Sequence, residues 1–100
     1  MSAYVIADIE VKDARAYETY RNGVEPTVRK YGGRFIVRGG QVSAVEGAWC
    51  PQRLVVIEFP DMAALEAWYA SPDYAPLLEL RLAASTGRLI KVEGVSVAAG

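Results

Sequence analysis

The chain predicts a single α+β domain in which helices cover one face of a four-stranded antiparallel sheet, in the order β-α-β-β-α-β. Three observations carry that reading. Short segments alternate apolar and polar residues with a period of two, longer ones repeat apolar residues every three or four positions, and glycine, proline and aspartate punctuate the junctions. This is the ferredoxin-like pattern, and 100 residues leave room for one such core.

The first strand is AYVIADIEV, with Val5, Ala7, Ile9 and Val11 on the core face and Tyr4, Ile6, Asp8 and Glu10 opposite. Asp13 is placed to cap a helix in which Tyr17, Tyr20, Val24, Val28 and Tyr31 recur at helical spacing. Pro26 predicts a kink or restart near Val24 and Glu25, since proline lacks an amide hydrogen and crowds the carbonyl four residues earlier. Gly32 and Gly33 then end the helix. RFIVR forms the second strand, with Phe35 and Val37 inward and Arg34, Ile36 and Arg38 outward, and a loop with a short hairpin segment at Gln41 to Glu46 follows. RLVVIEF forms the third, with Val55, Ile57 and Phe59 inward and Leu54, Val56 and Glu58 outward.

Asp61 caps MAALEAWYA, whose Leu65, Trp68 and Tyr69 form an apolar stripe. Ser71 and Pro72 restart a helix, with a turn through Tyr74 and a longer segment from about Pro76 to Ser85 that Gly87 ends. RLIKVEG is the last strand, read with Ile90 and Val92 inward and Leu89, Lys91 and Glu93 outward. The domain is expected to span residues 1–95, with 96–100 as a loose tail.

A net charge of −1 gives no general attraction to nucleic acid or to an anionic membrane. No apolar run approaches the roughly 20 residues of a membrane span, the N-terminus lacks a basic leader, and one cysteine offers no disulfide framework, so a cytoplasmic location is expected. The chain has no histidine. That excludes histidine-ligated zinc, iron and haem sites and histidine-assisted nucleophiles, so no metal and no cofactor is expected. Catalysis would have to run on carboxylates, arginine, lysine, tyrosine, tryptophan or the single thiol.

The outward face of the sheet, so read, mixes Tyr4, Ile6, Ile36, Leu54, Val56 and Leu89 with charges at Asp8, Glu10, Arg34, Arg38, Glu58, Lys91 and Glu93. An apolar patch of that kind marks an interface, and a two-fold homodimer packed sheet to sheet covers it. A hairpin register with Arg38 near Leu54 sets Arg34 opposite Glu58. Two readings of the arginines stay open: they neutralise carboxylates within the pairing face, or Arg38 and Glu58 line a cavity for a small polar or anionic ligand.

YGGRFIVRGG, VEG, PQRLVVIEFP and AWYASPDY, in this order, resemble the family known as domain of unknown function 1330. The motif positions are Gly32, Gly33, Arg38, Gly39, Gly40, Glu46, Gly47, Arg53, Glu58, Ser71, Pro72, Tyr74 and Arg81. The resemblance implies the dimeric α/β-barrel superfamily, in which two ferredoxin-like sheets face each other. Its wider membership includes cofactor-independent monooxygenases, lactone isomerases and haem-binding enzymes, but fold does not specify function.

Among single candidates, the glycine pairs read as helix termination and a turn, because no phosphate-binding glycine motif follows them. Tyr20, Trp68, Tyr69 and Tyr74 are core or cleft lining, Trp49 and Cys50 lie in the long loop, and Cys50 has no histidine to activate it. Asp8 and Glu58 are a candidate carboxylate pair for proton transfer, with Arg38 steadying an enolate-like anion. The expected protein is a homodimer with one small-molecule pocket per subunit, anchored by Arg38 and Glu58 and walled by Tyr20, Trp49, Tyr69 and Tyr74. The barrel lumen and the helix–sheet cleft both remain open as its place. The opposing reading is an interaction module whose polar sheet face specifies dimerisation.

Overall fold

A computed structural model describes residues 1–95; the tail expected at 96–100 lies outside them. Its elements are β1 (Ala3–Val11), α1 (Ala14–Lys30), β2 (Arg34–Arg38), β3 (Arg53–Phe59), α2 (Met62–Tyr69), α3 (Ala75–Ala84) and β4 (Ser85–Glu93). The strands form one antiparallel sheet in the order β2-β3-β1-β4. This is the ferredoxin-like arrangement, with the second helix divided into α2 and α3.

Alternation along the central strand sets the two faces. Ala3, Val5, Ala7 and Ile9 are buried under the helices, and their partners Phe59, Ile57 and Val55 on β3 are buried with them. Helix α1 adds Tyr17, Tyr20, Val24 and Val28 to this core, while Leu65 and Trp68 come from α2. The aspartates cap as expected: Asp13 accepts from the Ala16 amide at 3.1 Å, and Asp61 from that of Ala64 at 2.8 Å. At the end of α1, Gly32 takes φ +81°, and the Gly32 and Gly33 amides return to the Arg29 and Val28 carbonyls, a Schellman closure.

Four local expectations are corrected. Of the kink or restart expected at Pro26, the restart does not occur, and helix α1 runs through it. The proline removes one amide donor, and three buried contacts on the same helix (Tyr20, Val24, Val28) span it, so packing holds the helix together. No hairpin strand forms at Gln41 to Glu46, which is irregular.

The last helix ends at Ala84 and β4 begins at once at Ser85, three residues earlier than the Arg88 start expected. The Ala84 carbonyl accepts from the Lys12 and Asp13 amides, and the Ser85 hydroxyl donates to the Arg81 carbonyl at 2.6 Å. Gly87 is therefore a strand residue paired with Ile9. A Cβ there would come within 2.7 Å of Ile9 Cδ1 and 3.0 Å of the Asp8 carbonyl oxygen. It is glycine because another strand passes close, a different reason from helix termination.

The fourth correction reverses the faces of β4. Residues opposite each other in an antiparallel ladder share a face, and β4 pairs Leu89 with Ala7 and Lys91 with Val5. Leu89 and Lys91 are thus on the helix side, and Ile90 and Val92, opposite Ile6 and Tyr4, face outward at 58% and 42% exposure. Lys91 Nζ reaches Glu66 of α2 at 2.6 Å, which holds its charge at the surface of the helical layer.

Gly87→Ala is expected to destabilise the fold by about 1–3 kcal/mol through overpacking between β1 and β4, read as a lowered midpoint in thermal unfolding.

Candidate functional site

A single extra residue in β2 changes which side of the sheet each arginine serves. Arg34 pairs with Glu58 as expected and Phe35 with Ile57, but Val37 pairs with Val56 and Arg38 with Val55, so Ile36 is bulged out of the ladder. Beyond the bulge the alternation inverts. Val37 joins Ile36 on the outer face, and Arg38 turns to the helix side, opposite Val55 and away from the Leu54 neighbour expected for it. There its guanidinium carbon lies 4.1 Å from the Phe35 ring centroid, Nη2 donates to the Arg21 carbonyl of α1 at 2.6 Å, and Nη1 is 3.6 Å from Glu25 Oε1.

The expected trio of Glu58, Asp8 and Arg38 is consequently not one cluster. Glu58 is on the outer face, accepting from Arg34 Nε at 2.8 Å and from the Tyr4 hydroxyl at 3.1 Å. Those hydrogen bonds, led by Arg34, hold its carboxyl below the usual range, which favours a fixed carboxylate over a proton carrier near neutrality. Asp8 shares that face but lies opposite Leu54, four residues along β3 from Glu58, a separation of about 13 Å at strand rise. Its carboxylate accepts from Trp49 Nε1 at 3.2 Å and pairs with Arg88 at 3.7 Å. Trp49 accordingly belongs to the outer face, next to Ile6 and Ile90.

Tyr20, Arg38 and Tyr74 do come together, between the helices and the sheet. A cavity of about 30 Å³ is walled there by Tyr17, Tyr20, Trp68 and Tyr74, by aliphatic residues of the sheet, and by Arg21, Arg38, Arg53 and Arg81. That space is close to the share of one water molecule. Among the described residues, no carboxylate lines it.

Besides Arg38, held by the Arg21 carbonyl and Glu25, two further sets of polar groups are linked in this interior. The Tyr20 and Tyr74 hydroxyls lie 3.0 Å apart, and Arg81 Nε donates to the Tyr74 oxygen at 3.3 Å. Arg53 Nε donates to the Tyr17 hydroxyl at 3.3 Å, with its guanidinium 5.3 Å from that ring. Gly39, at φ +73°, is what lets Arg53 lie there, because a Cβ would fall 2.3 Å from Arg53 Nη1. Burial, reinforced by Tyr74, pushes the Tyr20 phenol far above its ordinary range, so it remains a neutral donor.

Arg81 is 6% exposed and, among the described residues, makes no ion pair. Burial works against its charge, yet the surrounding oxygens, Tyr74 first, more than offset this and raise its pKa. Tyr74 is fixed from below by Ser71, whose hydroxyl donates to the Trp68 carbonyl at 2.7 Å and accepts from the Tyr74 amide at 3.1 Å. The Tyr74 ring packs on Trp68 at 4.2 Å between centroids.

Tyr69 stands at the edge of this interior, 5.8 Å from the Tyr74 ring. It faces a groove of about 450 Å³ between α2 and β4, walled also by Val5, Leu65, Glu66, Leu89 and Lys91. Cys50 is exposed, its sulfur 3.9 Å from the Val42 carbonyl oxygen. Sequence reasoning had not placed Tyr17 or Arg81 in a pocket. The signal for Arg81 was legible: it sits four residues after Leu77, three after Leu78 and three before Ala84, a charge on an apolar helix face.

Residues 2–95 match the family model described as a domain of unknown function, DUF1330. No curated protein matches the chain. Among solved structures, a protein of unknown function from Rhodopseudomonas palustris is similar at 20% identity and a TM-score of 0.78, over 95% of this chain and 83% of that one. A dimeric ferredoxin-like protein of unknown function from Jannaschia sp. CCS1 is similar at 14% identity and a TM-score of 0.72, over 94% of this chain and 100% of that one. SnoaB, a cofactor-independent oxygenase from Streptomyces nogalater, is similar at 13% identity and a TM-score of 0.65, over 96% of this chain and 95% of that one. At these identities the likeness is one of fold.

The lowered pKa of Glu58 fixes the sign of one pH effect. Its contribution to stability is complete above the pKa of the unfolded chain and is lost as pH falls through the lower folded value. Thermal unfolding of the wild type between pH 7 and 3 is expected to show a steeper acid limb than that of Arg34→Gln. Parallel limbs would show that the Arg34–Glu58 pair carries none of it.

Proposed function

The chain belongs to the DUF1330 family, a domain of unknown function, and from that premise we propose a homodimer that binds a small organic anion between its helices and its sheet. One observation carries the ligand reading. Arg81 is a buried cation, aimed into a cavity that further guanidinium groups and phenols line and that, among the described residues, no carboxylate enters. Removing such a charge from water is costly, and the usual compensation is a carboxylate partner. A perturbed ionic group in a cleft without that partner is a candidate for ligand recognition, and a guanidinium is built to grip an oxyanion through two parallel bonds.

Of the pocket residues expected from sequence, Arg38, Tyr20 and Tyr74 keep that role, joined by Arg81 and Arg53. Tyr69 stands at the entrance, while Glu58, Asp8 and Trp49 are assigned to the pairing face. Chemistry in this cavity would rest on guanidinium and phenol groups. Such a set stabilises a developing anion, for example the enolate of a carbonyl compound, without a cofactor.

Pairing is supported by the outer face. Ile6 lies between Val56 and Ile90 in the ladder, Val92 and the bulged Ile36 and Val37 extend the patch, and all three of these are exposed. Two charge clusters flank it, Arg34 with Glu58 and Arg88 with Asp8. Each carries both signs, so a two-fold axis can set opposite charges of two copies against each other.

Two measurements test the halves separately. Arg81→Met is expected to leave the thermal midpoint unchanged or higher and to weaken benzoate binding, followed by calorimetric titration, at least tenfold. A lower midpoint together with no benzoate binding by the wild type would make Arg81 a structural residue. Ile6→Glu is expected to yield a folded monomer in native mass spectrometry, where the wild type is a dimer; a monomeric wild type would end the pairing account.

A further inference from the structure

We propose that the anion is a carboxylic acid with an apolar body, its carboxylate held by Arg81 and the Tyr20–Tyr74 hydroxyl pair and its body lying in the groove between α2 and β4. This rests on the anion reading above and adds the class of molecule. The argument begins with two volumes. The inner cavity, at about 30 Å³, admits an oxygen of a head group and none of the body behind it. The adjoining groove, at about 450 Å³, is the size of a small-molecule site. Val5 and Leu89 are walls of both, so the two spaces meet at these side chains, which a ligand occupying both must part.

The groove's own chemistry narrows the body. Leu65, Leu89, Val5 and the Tyr69 ring present hydrocarbon. Its only charged walls among the described residues, Glu66 and Lys91, are bonded to each other at 2.6 Å and half exposed, so neither is free to favour a second ionic group. Charge is therefore wanted at one end of the ligand, where Arg81 has no carboxylate partner among the described residues, and hydrocarbon along the rest. That is a monocarboxylate, and a dicarboxylate of the same length would bring a buried charge with no partner.

The test is calorimetric titration of the full chain with butanoate, hexanoate and octanoate, with octanedioate and 1-octanol as controls. Affinity is expected to rise about fourfold per added methylene, as burial of hydrocarbon predicts. Octanol and octanedioate are expected to bind at least tenfold more weakly than octanoate, and Leu89→Gln to weaken octanoate at least tenfold. Butanoate binding with no gain from longer chains would discard the apolar body and leave the anion site standing. Failure of every carboxylate to bind would overturn the anion reading itself. Octanol binding as tightly as octanoate would remove the carboxylate from the cavity, and octanedioate doing so would overturn the single charge. A Leu89→Gln protein that holds octanoate as tightly as the wild type would exclude the groove.

Discussion

Strand β1 lies between β3 and β4, and the rule that cross-strand partners share a face carries its alternation outward to the whole sheet. Val5, Ala7 and Ile9 commit one side to the helices, and Ile57, Val55 and Leu89 follow because they stand opposite. Tyr4, Ile6 and Asp8 commit the other side, with Val92, Ile90 and Arg88. Among the described residues the bulge at Ile36 is the one place where a strand departs from that rule, and it delivers Arg38 to the interior while leaving Arg34 outside. Two arginines of one five-residue strand thereby serve opposite sides of the molecule.

The interior that results is an unusual balance. Phe59, Trp68 and Val28 are almost wholly buried and supply the hydrophobic stabilisation that a domain of this size depends on. Beside them stand several guanidinium groups whose partners are mostly neutral: a ring face for Arg38, a phenol and its ring for Arg53, and a phenol for Arg81. Cation–π contacts and charge-assisted hydrogen bonds offset part of the desolvation cost. Glu25 relieves Arg38, but it lies on the exposed side of α1 and outside the cavity wall. An anion bound there, as proposed, would return part of that cost as ligand-linked stability.

Much of the fold was legible because single segments carried it. The alternation of AYVIADIEV, the two aspartate caps and the glycine stop after α1 are local signals, and each is found where the spacing predicts. What could not be read were relations between segments. RLIKVE has apolar residues on both faces, so its inward side is decided by the register with β1 and by nothing within the strand. The bulge is likewise a property of the β2–β3 ladder, and RFIVR taken alone gives an unbroken alternation. Gly87 was read as a stop because a glycine after a helix usually is one, whereas here it yields to a neighbouring backbone. The candidate site divided for the same reason: Arg38 and Glu58 were expected in one pocket, but the sheet stands between them.

The two tryptophans end up on opposite sides of that sheet. Trp68 is 1% exposed, packed on Tyr74 in the cavity wall with its indole nitrogen 3.0 Å from the Thr27 hydroxyl. Trp49 is 64% exposed and rests over Asp8 on the outer face. The two indoles therefore report from separate places: emission from the sheltered one reflects the space beneath the helices, and emission from the solvated one reflects the outer face of the sheet. Their different access to an aqueous quencher allows a change beneath the helices to be distinguished by light from a change on the outer face, without any added label.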